Sequence, residues 1–168
     1  MKTFTTTILT TVIGLLLVVA VPLAQAGEIQ IPEVENADFE KLAQDAAVEN
    51  KQLMIVYYRN QCDTCEQLVS MQGSSNVAVN KINQQYKIYK TNVANSFDVV
   101  CPSGEIYSED EFLAIKGITA FPAVVITDES GNVEVVENSV KTGHQLLAIG
   151  DLFKTRDIAK YTTADHLN

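Results

Sequence analysis

Two cysteines, Cys62 and Cys65, follow shortly after a continuous apolar run at residues 53–58. A short run of branched and aromatic residues predicts a buried central strand. Two cysteines at i and i+3 at the start of a helix lie close enough to form a disulfide and to exchange it with another thiol. The sequence therefore predicts a strand that ends beside a dithiol and is followed by a helix.

The N-terminal segment has the features of a secretory signal peptide. Lys2 supplies a basic start, residues 8–21 form an apolar stretch, and residues 24–26 form an A-x-A cleavage site. The apolar stretch is shorter than the about 20 residues that a membrane-spanning helix needs. We therefore expect residues 1–26 to be cleaved and the protein to be exported to the periplasm, with no stable membrane insertion; an uncleaved N-terminal anchor is the alternative.

The remaining residues, 27–168, have a length that suits a single domain with its own core. The formal net charge of the whole chain is −9, and loss of Lys2 with the signal makes it more negative. A strongly acidic domain is a poor partner for nucleic acid and for an anionic membrane surface. We therefore expect neither of these partners.

Apolar periodicity and turn signals predict an α/β domain in which a parallel start is followed by an antiparallel hairpin. Such an order gives a central mixed β-sheet flanked by helices. Strands are expected at residues 53–58, 86–93, 123–127 and 133–137. Helices are expected from residue 36 or 38 to 50, and at 62–71, 76–85, 108–116 and 142–153.

Residues 94–107 are predicted to form a small insertion between the strand at residues 86–93 and the helix at 108–116. They contain a possible edge strand at residues 97–101 and a turn at 102–104. The helices after the insertion begin with capping boxes at residues 108–111 and 142–145.

The order of elements, with a C-x-x-C after the central strand, resembles the thioredoxin fold over roughly residues 39–153. The segment at residues 116–124 resembles the family's segment that ends in a cis-proline. The resemblance implies that Pro122 is cis, faces the cysteine pair and lets Phe121 present its backbone to an extended substrate peptide. Residues 90–93 resemble the family's Lys-x-Asn-Val/Ile strand. The export signal and the segment around residues 101–112 resemble the periplasmic thioredoxins of the sulfur-oxidation type (SoxW-like).

The chain departs from that family near the cysteines. Gln61 stands where a tryptophan usually precedes the first cysteine, and Asp63 and Thr64 replace the usual Gly-Pro. Val56 stands where thioredoxins have a buried acid. This last change removes the group that would take the proton of Cys65, so water, Glu66 or Lys90 would have to serve instead.

The pair has the chemistry of disulfide exchange. A helix N-terminus lowers a thiol pKa, so Cys62 is the expected nucleophile and Cys65 the resolving cysteine. Asp63 disfavours the thiolate, whereas Arg59 favours it if its side chain points at the site. On balance we expect a moderately reducing protein whose redox-active disulfide is its only cofactor.

Other interpretations of the cysteines are weaker. A structural disulfide that closes so short a loop stabilises little through loop entropy. A zinc site would need further ligands from Cys101, His144 and His166, which have no paired spacing. We expect no metal. Cys101 is either an inert thiol on a half-buried strand or a third redox thiol that exchanges with the pair or links a dimer, and the inert interpretation is favoured.

These observations favour a reductase of oxidised protein disulfides. The resemblance implies that a membrane thiol-electron conduit of the Dsb/Ccd class would reduce its disulfide again. An oxidase or isomerase that uses the same cysteines is the nearest alternative. A protein of another class, a thioredoxin-fold binding module, would keep the pair oxidised and hold a partner at Phe121 and Pro122.

Overall fold

The structure is a computed structural model that describes residues 31–71, 73–95 and 97–155. The expected signal peptide at residues 1–26, the polar C-terminal stretch beyond 155 and His166 lie outside the described residues. In chain order the elements are β1 Ala37–Asp38, α1 Phe39–Val48, β2 Gln52–Tyr58, α2 Asp63–Val69, α3 Asn76–Gln85, β3 Tyr86–Asn92, β4 Asp98–Val100, β5 Ile106–Ser108, α4 Glu109–Ile115, β6 Ala123–Thr127, β7 Val133–Glu137 and α5 Gly143–Thr155.

The main sheet has four strands in the order β3-β2-β6-β7. Strand β2 runs parallel to β3 and antiparallel to β6, and β6 and β7 form an antiparallel pair. The predicted mixed sheet with a parallel start and a terminal hairpin is therefore confirmed. The four predicted strands of this sheet agree with the structure to within one residue at each end.

Strand β2 is buried because helices cover both faces of the sheet. Successive side chains of a strand point to opposite faces. Leu53, Ile55 and Tyr57 belong to the cluster that includes the apolar residues of α1 and α4. Met54 and Val56 belong to the cluster that includes the apolar residues of α2, α3 and α5. The continuous apolar run thus reflects burial on two sides.

The insertion contributes β4 and most of β5 to a second sheet of three short strands, in the order β1-β4-β5. Strands β4 and β5 pair as a hairpin, and β1 runs parallel to β4. The predicted strand at residues 97–101 is shorter, at Asp98–Val100, and β1 and β5 were not predicted. Strands of two and three residues contain too few positions for an alternating pattern to be recognised.

The end of one helix and one of the two predicted capping boxes differ from the predictions. Helix α2 ends at Val69 instead of residue 71, because Met71 has a φ of 53° and cannot continue a right-handed helix. The capping box of α4 is complete, with Ser108 and Glu111 bonding reciprocally. At α5 the Thr142 hydroxyl accepts from the Gln145 N–H, but the Gln145 side chain accepts from the backbone N–H of residue 141.

The extended segment before β1, at residues 32–34, covers the free edge of β3. The N–H of Lys90 donates to the carbonyl of Pro32 at 3.0 Å, and the N–H of Val34 donates to the carbonyl of Lys90 at 2.9 Å. An uncovered strand edge is a site for unwanted pairing, so this contact completes the sheet on the β3 side. No helix in the part of the chain that the structure describes has the length and apolarity to cross a membrane.

Candidate redox site

Strand β2 leads into a tight turn that positions the cysteine pair. Residues 60 and 61 form a turn before α2, and Gln61 has a φ of 58°. Cys62 is the N-cap residue of α2, with extended backbone angles, and its sulfur accepts a hydrogen bond from the N–H of Cys65 at 3.2 Å. The N-cap sulfur thus occupies the place that a serine or aspartate oxygen usually takes.

The two cysteines form a disulfide, and their Cα atoms lie 5.2 Å apart. Their environments differ, because Cys62 is half-buried whereas Cys65 is fully buried. An outside thiol therefore meets Cys62 first. A thiolate at Cys62 would receive the Cys65 N–H and lie at the positive end of α2, and both contacts favour the charged form. The arrangement suits an attacking outer thiol and a resolving inner thiol.

The second part of the site is the loop that ends at Pro122. The Phe121–Pro122 peptide bond is cis. Ala123 pairs with Tyr57 across β2 and β6, so Pro122 lies beside the end of β2 from which the cysteine turn departs. The structure therefore brings together the two segments that the sequence placed some sixty residues apart.

Asn138, which was not predicted from the sequence, holds this loop in place. Its side-chain oxygen accepts from the N–H groups of Thr119 and Ala120 at 2.9 and 3.3 Å, and its side-chain nitrogen donates to the carbonyl of Gly117 at 3.1 Å. An asparagine just after a strand usually signals only a turn. Nothing in the sequence indicates that its partners lie about twenty residues upstream.

Arg59 lies over the aromatic ring of Phe121. The guanidinium carbon is 4.3 Å from the ring centroid, which is the geometry of a cation–π contact. Two of the predicted site residues are thus in contact, next to Pro122. Asp63 is exposed in the first turn of α2 and Thr64 is half-buried there.

Neither residue proposed to take the proton of Cys65 hydrogen-bonds to it in the described part of the chain. Glu66 is exposed on α2, whereas Cys65 has no exposed surface. Lys90 stands opposite Val56 in the β2–β3 register, but its ammonium lies over the Tyr58 ring, 5.7 Å from the centroid. The route of that proton stays a prediction.

The cysteine turn is tied to the end of β3. The Asn92 side chain donates to the Asn60 side chain at 2.7 Å and accepts from the N–H of Ala94 at 3.1 Å. The pKa of Tyr58, which begins this turn, is raised by partial burial and by the nearby Glu33 carboxylate. Asn92 belongs to the Lys-x-Asn-Val/Ile segment, and the structure gives that asparagine a positioning role.

Two buried polar side chains, those of Glu109 and Tyr57, lie on the face of the sheet that α1 and α4 cover. Glu109 is only 3% exposed, its Oε1 has no hydrogen-bond partner within the described residues, and desolvation raises its pKa to about 7. The buried hydroxyl of Tyr57 has no such partner either, and burial raises the pKa of Tyr57, with a smaller contribution from Glu109. The sequence placed Glu109 in the capping box at residues 108–111 and gave no sign of this burial.

Cys101 does not lie on a strand, which corrects the sequence-based expectation. It follows β4 in a turn, where its N–H donates to the carbonyl of Glu105 and its carbonyl accepts from the N–H of Gly104. It packs against the cluster that contains Phe112 of α4, whereas α2 contributes Leu68 to the opposite cluster. Partial burial raises its thiol pKa. The sheet therefore separates Cys101 from the helix of the redox pair.

The sequence offered Cys101, His144 and His166 as further ligands for a zinc site. His144 is exposed in the first turn of α5. Over residues 31–71, 73–95 and 97–155, no three or more His, Cys, Asp and Glu side chains form a group that could hold a metal ion.

Comparison with solved structures identifies the fold. A thioredoxin-fold protein from Helicobacter pylori is 16% identical, with a TM-score of 0.54 over 77% of this chain and 80% of that protein. A protein from Bacteroides thetaiotaomicron, described as a proposed disulphide isomerase, is 22% identical, with a TM-score of 0.56 over 77% of this chain and 95% of that protein. No protein-family model and no curated protein matches the chain. The chain has the thioredoxin fold, with a mixed sheet flanked by helices.

Proposed function

We propose that this protein is a periplasmic thiol–disulfide oxidoreductase that reduces disulfides in other exported proteins. The observation that carries the proposal is the pairing of a half-buried and a fully buried cysteine in one disulfide at the start of α2, beside cis-Pro122. The catalytic residues would be Cys62 and Cys65. Phe121 and Pro122 would bind the substrate chain, and Asp63, Thr64 and Arg59 would tune the pair.

The reaction begins with both cysteines reduced. The Cys62 thiolate attacks one sulfur of the substrate disulfide, which breaks, and the departing substrate thiolate takes up a proton. Cys65 then loses its proton and attacks the Cys62 sulfur, which releases the second substrate thiol. The substrate has gained two electrons and two protons, and the protein is left with the Cys62–Cys65 disulfide seen in the structure.

Each cycle needs a donor of two electrons that restores the dithiol. We propose a membrane thiol-electron conduit of the Dsb/Ccd class, which would use the same exchange chemistry from the membrane side. The apolar segment and small-residue cleavage site at the N-terminus support the periplasmic location. The segment at residues 101–112 supports a relation to the Sox-type thioredoxins, which would place the substrates among exported thiol proteins.

The acidic residue next to Cys62 supports a reducing role. Asp63 is adjacent to Cys62 and disfavours its thiolate, while Arg59 lies over Phe121. A destabilised thiolate makes the reduced form the better electron donor. We expect a reduction potential well below the about −120 mV of the strongest periplasmic oxidants.

Insulin disulfide reduction with a small-molecule thiol as the electron source tests the proposal. Turnover that disappears in Cys62→Ser and persists in Cys101→Ser supports the enzyme, because only the first change removes the attacking sulfur. Absence of turnover in the unmodified protein refutes the reductase and favours the thioredoxin-fold binding module.

Direction of exchange needs a second measurement. The proposed disulphide isomerase among the structural neighbours makes an isomerase the alternative that deserves a direct assay. Recovery of activity from scrambled ribonuclease, with little net reduction of insulin, would favour that alternative. A Cys65→Ser variant should retain partners as mixed disulfides on Cys62, and capture of none from periplasm would contradict the exchange mechanism.

A further inference from the structure

Arg59 is a cation fixed at the edge of the proposed substrate site. It is the only arginine among residues 31–71, 73–95 and 97–155, and its guanidinium lies over the ring of Phe121 at 4.3 Å. Arg59 and Cys62 are three residues apart, so their Cα atoms lie within about 10 Å of each other. The charge is therefore held against Phe121, next to cis-Pro122, and three residues along the chain from Cys62.

The guanidinium forms no ion pair with a described residue, although the chain has 21 acidic and 12 basic residues. Asp63 and Glu66 are the acidic residues nearest to it in the sequence, and both are exposed without pairing to it. A guanidinium has five N–H donors, and contact with a ring face uses none of them. None of these donors bonds to a described residue, so within residues 31–71, 73–95 and 97–155 they are open to a group from outside the protein.

The geometry points to a carboxylate as that group. The planar fork of arginine matches a carboxylate in a bidentate arrangement, which a lysine does not reproduce. A substrate chain that runs along Phe121 advances by about 3.3 Å per residue, so an acidic side chain one or two residues from the reacting cysteine lies about 3–7 Å further along the chain, on the side of the ring contact that Arg59 makes. Asp63 and Glu66 repel a second acidic group on the α2 side of the pair, which leaves the Phe121 side as the favourable one.

We propose that Arg59 selects disulfides whose cysteine has an aspartate or glutamate within two residues in an extended segment. The inference rests on the proposed reductase function and names a substrate class for it. Arg59 contacts the substrate and takes no part in electron transfer, which proceeds from the Cys62–Cys65 dithiol to the substrate disulfide as described above.

A single-turnover experiment tests this selection without an added reductant. The protein is reduced, freed of excess thiol and mixed with one of two peptide disulfides that differ only by Glu or Gln two residues before the cysteine. The measured quantity is the ratio of the two second-order rate constants. Any effect of Arg59 on the thiolate of Cys62 acts on both peptides alike and cancels in the ratio.

We expect the unmodified protein to reduce the glutamate peptide about threefold to fivefold faster, which is the range for an exposed ion pair. The ratio should fall to about one in Arg59→Gln and in high salt, which screens exposed charges. Lys41→Gln is the matched control, since it removes the same charge from an exposed position on α1. Its ratio should equal that of the unmodified protein.

Different results would refute the role of Arg59 and the reductase function. Equal rates for both peptides in the unmodified protein, or an equal loss of preference in Lys41→Gln, would overturn the role of Arg59 and leave the reductase intact. Reduction of neither peptide would overturn the reductase and the selection together.

Discussion

The buried carboxyl of Glu109 should make the stability of the protein depend on pH. The side chain is 3% exposed, and its Oε1 lacks a hydrogen-bond partner within the described residues. Desolvation, with a smaller contribution from Asp110, raises its pKa from 4.5 to about 7. The folded protein therefore favours the neutral carboxyl, whereas an unfolded chain ionises it at its ordinary pKa.

The sign and size of the effect follow from this difference. Well below pH 4.5 the carboxyl is neutral in both states, so it does not change the free energy of unfolding. As the pH rises towards 7, the unfolded state loses its proton first, so the free energy of unfolding falls, and above pH 7 the loss is complete. A pKa that moves from 4.5 to about 7 corresponds to a loss of at most about 3 kcal/mol, and we expect about 1–3 kcal/mol.

Glu109→Gln keeps the size of the side chain and removes the ionisation. Urea unfolding of the oxidised protein, followed by far-UV circular dichroism because the chain has no tryptophan, gives the free energy of unfolding at pH 5, 6, 7 and 8. The variant should gain stability over the unmodified protein as the pH rises, by about 1–3 kcal/mol between pH 5 and 8. Glu111→Gln is the control, since Ser108 lowers the pKa of Glu111 and a glutamine can also complete the capping box.

A constant difference between Glu109→Gln and the unmodified protein across this range would refute the reasoning. So would a difference that grows towards low pH, since it would mean that the carboxyl is ionised and stabilised in the folded state. Equal pH behaviour of the Glu109 and Glu111 variants would show that burial at position 109 has no specific effect.

The remaining predictions concern backbone and loop positions. Gly131→Ala should lower the free energy of unfolding by about 2 kcal/mol or more, because Gly131 has a φ of 88° and a Cβ there would lie 2.6 Å from the Phe39 carbonyl oxygen. Gly104→Ala, at a φ of 84° with nothing near the Cβ, should cost only about 1 kcal/mol, and denaturant unfolding that shows equal losses would contradict the contact. Asn138→Ala should slow insulin reduction and cost about 1–2 kcal/mol, because it removes three hydrogen bonds that hold the loop before Pro122. Asn138→Asp, which keeps the acceptor, should be less severe in both assays, and an equal effect would indicate that the acceptor contacts are unimportant.

Much of the fold could be predicted because its signals are local. The apolar run at residues 53–58 and the Ser108–Glu111 capping box depend on neighbours in the chain, and both lie close to their predicted positions. Helix α2 is shorter than the predicted 62–71, because the chain leaves the helical conformation at Met71. Strands β1 and β5 were missed because their pairing, rather than their sequence, makes them strands.

In the candidate site, too, local features could be predicted from the sequence, whereas long-range contacts could not. The spacing of Cys62 and Cys65 at a helix start is a local feature, so the sequence indicated a disulfide-forming pair by itself. The contact of Arg59 with Phe121 depends on a register across two strands of the sheet. Asn138 was missed for the same reason, since its partners lie in a loop that the sequence separates from it by about twenty residues.

The sequence by itself determined the mixed α/β architecture and the pair of cysteines after the central strand, because periodicity, caps and spacing are properties of neighbouring residues. Only the tertiary structure decided which cysteine is the less buried, that Arg59 lies over Phe121 with no ion pair to a described residue, and that Glu109 is buried. Burial and ion pairing depend on which elements pack together, and residues far apart in the chain set that packing. The proposed reactivity of the Cys62–Cys65 pair and the proposed selection of its substrate depend on these long-range contacts.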